Sequence, residues 1–364
     1  LFRSQILPLP LDLLKFFSPE KKKLLFLIEN ISYSSISLSP VNSYFQILNF
    51  TSLLLIVFIC RMIFYTQRHK YRFYFYLSLA GFISSIIAVL FYLNGNPDFL
   101  IFKNSYYNKA STGFFINRTV SAVFLVFCLI SSLELLKSFE ENKKKDNFFF
   151  KIYIRLFVIF ITIGIITSFS RIGNFLLLIT ILIYFLNELF FSKNKNQSFK
   201  IIILFIILFD LIFVGIYFGT SEIIDRFSFL REEFSYISSD IIGISRFDII
   251  KFAFSELKNF ILFGYGSGSF EILFQLKFMN LSSQFANHAH SDLVEFFGEF
   301  GFVGITLIIL SFIKFILNKK SYTLINLIVF SYAIIILSFD FSLHIPIIQI
   351  LFLSFLLLNK KTTQ

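Results

Sequence analysis

The 364-residue chain is 56% hydrophobic and 20% aromatic but only 15% charged, with a mean hydropathy of +0.78. A soluble domain carries about 25% charge to coat its surface, so this composition excludes an ordinary soluble globule and points to the bilayer. The net charge of +11 fits either nucleic acid or membrane topology, and its distribution along the chain decides between them.

In chain order, the first apolar stretches, Leu11 to Phe17 and Leu24 to Ile28, are too short to span and suit an interface. The chain opens on Leu1 rather than Met, so an incomplete N-terminus is expected. Runs of about 17–25 apolar residues, the length a membrane helix needs, then recur roughly nine times. They cover Phe45 to Tyr65, Phe73 to Leu93, Phe114 to Leu136, Phe148 to Ser168, Ile172 to Phe191 and Ile201 to Phe218. After a long gap they resume over Phe296 to Leu317, Tyr322 to Phe339 and Ile345 to Leu358. The expected fold is all-α, a polytopic transmembrane bundle with one large loop of short helices. Its parts are an N-terminal, outward-facing segment over 1–44, about six spans over 45–219, a loop over 220–295, about three spans over 296–359 and a tail over 360–364.

Every second connection is basic: Arg68, Lys70 and Arg72, then Lys143 to Lys145, Lys193 to Lys200, Lys319 and Lys320, and Lys360 and Lys361. The alternate connections are poorer in Lys and Arg, and the 220–295 loop holds more acidic than basic residues. By the positive-inside rule the basic side is cytoplasmic and the large loop faces outward. This alternation accounts for the +11 without nucleic acid. Lys21, Lys22 and Lys23 are the exception, on the expected outer side. The two cysteines, Cys60 and Cys128, lie inside apolar runs with no pairing or metal pattern and are expected to be free.

Three outward-side features carry polar chemistry. Ser168, Phe169, Ser170 and Arg171 form a tight turn between spans. An arginine there is either an interfacial anchor or a phosphate clamp, because guanidinium is permanently charged and forks onto phosphate. Ser245, Arg246, Phe247 and Asp248 precede a glycine-rich turn over Phe263 to Phe270. Its context is not that of a dinucleotide fingerprint. Arg246 is a second phosphate candidate, with a solvated surface charge as the plain alternative. A helix over Arg246 to Phe260 is expected from Phe247, Ile250, Phe254 and Leu257 at helical spacing.

The third feature runs from Asn287 to Gly304 and holds His288, His290, Asp292 and Glu295. Asp292 and Glu295 have capping-box spacing, so a helix is expected to start near Asp292 with His290 just ahead of it. A helix N-terminus favours anions and disfavours imidazolium, leaving His290 neutral and able to accept a proton. His288 and Asp292 are candidate substrate-binding neighbours. Gly298, Gly301 and Gly304 suggest close packing. The His288–His290 pair with Asp292 is also a rival zinc pattern. No third ligand at zinc-like spacing accompanies it, so no metal and no cofactor are expected. Two arginines to hold a diphosphate and a histidine to deprotonate a hydroxyl make a coherent sugar-transfer centre.

Taken in order, these pieces resemble the O-antigen ligase and O-antigen polymerase superfamily. They are Ser37 to Pro40, Gly113 to Arg118, Ser168 to Arg171, Arg246 with Gly264 to Phe270, His290 to Gly304, and Ser338 to Pro346. The resemblance implies a GT-C-like helical fold and a glycosyltransferase in the bacterial inner membrane, with its site facing the periplasm. It implies an undecaprenyl-diphosphate-linked glycan as donor and lipid A–core or another glycan as acceptor. Arg171 and Arg246 match the family's pyrophosphate-binding arginines, and His290 its catalytic histidine. Ser291 stands where the family often has Asn. Members typically carry more spans than the roughly nine counted here. Ligase, polymerase and protein O-oligosaccharyltransferase share the donor site. A polysaccharide transporter or flippase is the alternative from another class, kept open by the midspan Asp210.

Overall fold

The structure, a computed structural model, describes residues 2–25, 31–96, 110–141, 148–191, 246–278, 286–317 and 323–358. The expected span over Ile201 to Phe218, Asp210, the later lysine clusters and much of the 220–295 loop lie outside the described residues. What is described is an all-α polytopic membrane protein. Among the described residues, six helices are long and apolar enough to cross a bilayer, and two shorter apolar helices follow.

Three short helices come first: α1 (Phe2–Ile6), α2 (Leu11–Phe17) and α3 (Pro19–Leu25). A minimal antiparallel ladder joins β1 (Leu9–Pro10) to β2 (Tyr33–Ser34). The long helices α4 (Pro40–Ile63), α5 (Gln67–Leu93), α6 (Arg118–Glu141), α7 (Phe148–Thr167) and α8 (Arg171–Leu186) follow. After α9 (Arg246–Leu257) and α10 (Phe270–Lys277) come α11 (Asp292–Leu317), α12 (Leu324–Phe339) and α13 (Pro346–Leu358). Several helices start ahead of their apolar runs. Thus α5 begins at Gln67, where the Thr66 side chain accepts the His69 N–H, so Arg68, Lys70 and Arg72 ride on its first turns. Hydropathy locates the apolar middle of a helix, whereas a polar cap sets its end.

The chain divides into two compact units. One comprises Val57–Asp225, Thr323–Ala333 and Ile347–Gln364. Here α6 is the central helix, in contact with α5, α7 and α8, and its Val123, Val126, Phe127, Leu129 and Ile130 are fully buried. A helix apolar all round suits such a position. Small residues set the spacing, since in lipid the hydrophobic effect does not drive helices together and close packing must. A Cβ on Gly81 would lie 2.3 Å from the Cys128 Cβ, and one on Gly173 would lie 2.3 Å from the Ala122 Cβ. The buried hydroxyls of Ser131 and Ser132 donate to carbonyls one turn back, at Phe127 and Cys128. Cys60 and Cys128 are free thiols.

The other unit comprises Leu1–Ile56, Arg226–Tyr322 and Ile334–Pro346. Its apolar core gathers Ile249 and Ala253 of α9, Phe260, Tyr265, and Phe270, Leu273 and Phe274 of α10. The helix expected over 246–260 is present, but it buries a different stripe. Ile249, Ala253 and Glu256 face inward, while Phe247 and Phe254 are exposed. Apolar residues lie on more than one side of this helix, so spacing alone did not choose its face. Lys21 is equally a structural residue. It is buried, its ammonium donates to Ser35 Oγ and Ser37 O, and burial pulls it down to about 8. The helix contacts in the first-described unit give a direct test. Replacing Gly81 by Val overpacks the α5–α6 contact and is expected to destabilise the protein by about 1–3 kcal/mol, read as a lowered unfolding temperature in detergent.

Candidate functional site

The site is built around the start of α11. Its helical ladder opens as expected, with Glu295 N–H donating to Ser291 O at 3.0 Å. Asp292, however, is the first helical residue and does not cap. Its carboxylate accepts the Leu343 N–H at 2.9 Å and pairs with His344 Nδ1. Glu295 reaches back, but past the capping position. It accepts the Ala289 N–H at 2.7 Å and meets His288 Nδ1 at 2.9 Å. The capping-box reading thus located the helix start correctly and misassigned its carboxylates. Tertiary donors outcompete the local N–H groups because these carboxylates are buried.

Asp292, Glu295 and Glu299 fall at i, i+3 and i+7, so they share one face of α11, and each is no more than 2% exposed. Glu299 takes the Gly268 N–H at 2.6 Å. The cation among them is His344, in the 3-10 turn Ser342–His344 that follows α12. Burial works against its charge. The carboxylates of Glu295, Asp292 and Glu299 outweigh burial and hold it well above the ordinary histidine range, so it is an imidazolium. Its ring stacks on Phe296 at 4.2 Å between centroids. The backbone is pinned as well, with Asp292 N–H donating to Asp340 O at 2.9 Å and the Ser291 hydroxyl to Leu337 O at 3.2 Å.

A second constraint lies two turns further on. Gly301 breaks α11 with φ 63°, a conformation that suits glycine. The backbone groups freed there are taken up by the glycine-rich turn. Tyr265 N–H donates to Gly298 O at 2.9 Å, and Phe302 N–H to Ile261 O at 2.7 Å. A Cβ on Gly264 would lie 2.2 Å from the Glu299 carbonyl oxygen, so this turn seats directly on the break. The other side of the turn meets Ser37, whose hydroxyl bonds those of Ser43 and Ser269 at 2.7 and 3.1 Å. Gln5 ties in the N-terminus, donating to Phe263 O at 2.7 Å and Glu299 O at 2.8 Å.

The histidines are held differently. His288 stacks on Phe341, with centroids 4.9 Å apart and planes 9° from parallel, and is anchored by Glu295. His290 sits in the left-handed region at φ 56°, an unusual conformation for a side-chain-bearing residue. Burial, then the charges of Arg246 and His288, push it down to about 4. It is therefore neutral, and the dominant cause is burial rather than the helix end. Arg246 opens α9, with its exposed guanidinium near enough to act on both His290 and Asp340. Arg171 is the first residue of α8, in the unit centred on α6, where Ser170 caps the helix by accepting the Gly173 N–H at 3.1 Å.

The fold thus brings Arg246, His288, His290 and Asp292 into one neighbourhood and adds Glu299, Asp340 and His344. Ligand atoms of His288, Glu295 and His344 lie within 4.8 Å of one another, close enough in principle for a divalent ion. Of the zinc pattern read from the sequence only His288 belongs to this set, and Glu295 and His344 stand in it in place of His290 and Asp292. Removing the imidazolium should expose how much this cluster depends on it. His344→Ala is expected to cost about 3–5 kcal/mol by stranding Asp292, with His344→Gln recovering part of the loss in thermal unfolding.

A search of curated proteins and a search of solved structures each found no match. Residues 156–309 match the family model described as O-Antigen ligase, a segment that includes Arg171, Arg246, His288, His290 and the carboxylates of α11. Together with the membrane helices, that match makes this segment of the chain similar to the O-antigen ligase family.

Proposed function

We propose that the protein is a glycan transferase of the O-antigen ligase type, working at the periplasmic face of a bacterial inner membrane. It takes a glycan from undecaprenyl diphosphate and joins it to an acceptor such as lipid A–core. The observation that supports this reading most is the pairing of a neutral His290 with the Arg246 charge within the matched segment. Arg246 grips the diphosphate, and the resemblance assigns the same role to Arg171. His290 takes the proton from the acceptor hydroxyl as its oxygen bonds to the anomeric carbon. The anomeric carbon–oxygen bond to the diphosphate breaks, and undecaprenyl diphosphate leaves with the electron pair. A free His290 near 4 is a weak base. Bound diphosphate offsets the Arg246 charge that helps depress it, so substrate itself raises its basicity toward working pH. No metal takes part.

Arg246→Ala and His290→Ala are expected to lower transfer by at least about a hundredfold at normal protein levels, measured with purified protein and lipid-linked donor. Chelation is expected to leave the wild-type rate unchanged, and a chelation-sensitive rate would defeat the metal-free reading. In a deletion strain, loss of all attached chains with lipid-linked polymer accumulating identifies a ligase. A single attached repeat unit identifies a polymerase.

A separate expectation concerns pH. His290 acts in its neutral form, and its free-enzyme value lies near 4. The acid limb of kcat/KM should therefore fall near that value and not at the ordinary histidine range. A limb at the ordinary range in wild type would count against His290 as the base.

A further inference from the structure

Glu295 and Glu299 of α11 line a pocket of about 470 Å³, within the range of small-molecule sites. Helix α4 lines it as well. Asn42, Gln46 and Asn49 line it at i, i+4 and i+7 and so share one face of that helix. The rest of α4 is strongly apolar and presents Tyr44, Leu48, Leu55 and Phe58 outward. Primary amides in such a helix are costly against lipid, which offers them no partners. Asn42 already donates to Gly268 O at 3.1 Å. The stripe lines the same pocket as Glu271, Glu295, Glu299 and His344.

The chemistry of this lining selects its ligand. No Lys or Arg is among the described lining residues, while three carboxylates are, so a phosphate is repelled. Amides both donate and accept, carboxylates accept, and an imidazolium donates. A polyhydroxylated molecule, whose every hydroxyl both donates and accepts, matches that mixture. Phe45 and Phe270 add apolar surface against which the C–H face of a sugar ring can lie. One donor also awaits a partner. His344 Nε2 makes no hydrogen bond, its nearest carboxylate oxygens lying at 3.5 and 3.8 Å, although the side chain is only 8% exposed. A buried polar atom left in this state is rare and costly, and a ligand hydroxyl would satisfy it.

We infer that the pocket between the amide stripe of α4 and the carboxylate face of α11 is a saccharide subsite that binds a neutral sugar through its hydroxyls. The inference rests on the glycan-transfer reading and assigns this pocket to sugar, apart from the arginines that hold the diphosphate.

The chain contains no Trp, so Phe45→Trp places a single reporter at the pocket. The protein in nanodiscs would be titrated with glucose, galactose, N-acetylglucosamine and a 6-deoxyhexose, and separately with inorganic phosphate and with Zn²⁺ alone. At least one sugar is expected to give a saturable change with Kd on the order of 1–10 mM, which phosphate does not compete away. Gln46→Leu with Asn49→Leu in the same background should weaken it about tenfold. Unfolding temperature is measured on the same variants, so that a loss of fold is told apart from a loss of sugar contacts. The inference is overturned if no sugar in the panel binds, if phosphate or Zn²⁺ alone saturates the signal, or if the leucine variants bind sugar as before. Sugar binding in a protein whose deletion leaves surface polysaccharide intact would instead remove the transferase reading and keep the subsite. No sugar binding alongside lost polysaccharide attachment would do the reverse.

Discussion

Three carboxylates withdrawn from solvent on one face of α11 are the constraint around which the site is organised. Asp292, Glu295 and Glu299 cannot stay ionised there without donors, and each finds a different one: the Leu343 N–H, the Ala289 N–H and the Gly268 N–H. Those donors lie in three separate segments of the chain. Satisfying the carboxylates therefore draws the 286–291 segment, the glycine-rich turn and the turn after α12 onto one helix face. His344 supplies the charge that makes the arrangement tolerable, and it is stacked on Phe296 so that its position is set as well as its charge.

The break at Gly301 completes this design. A continuous helix would have kept its carbonyls in its own ladder. Interrupting it releases backbone groups around Gly298 to Val303, which the 261–266 segment then fills. The glycine-rich turn, whose context does not fit a nucleotide loop, serves here as a saddle across a broken helix. Its glycines are needed because backbone sits where a side chain would be, both at Gly264 against Glu299 and at Gly266 against Ser37. Through Ser37 and Gln5 the same saddle fastens the N-terminal segment, so residues more than 200 positions apart in sequence depend on one junction.

These contacts give the two histidines contrasting characters. His288 is braced by Glu295 and lines the pocket beside it. His290 is held in a strained backbone conformation and kept neutral by burial and by Arg246. Two histidines two positions apart thus differ in bracing, in backbone conformation and in charge.

Membrane residence, the long helices and their approximate places were determined by the sequence alone, because hydropathy over a window of helix length reports directly on the solvent a segment requires. Arg246, His288, His290 and Asp292 also stood out there, as polar residues in an apolar chain. Glu299 lay unremarked inside the quoted α11 stretch, and His344 entered only through the motif around Pro346. Asn42, Gln46 and Asn49 left a readable signal, amides at helical spacing within an apolar run, but no partner to give it meaning. Tertiary structure alone decided the rest. It turned α9 to bury Ile249 rather than Phe247, took Asp292 from its cap, and set His344 among carboxylates more than 40 residues earlier in the chain. Local spacing encodes which groups need partners. Which distant groups become those partners is settled only when burial forces each charge and each freed backbone group to find one.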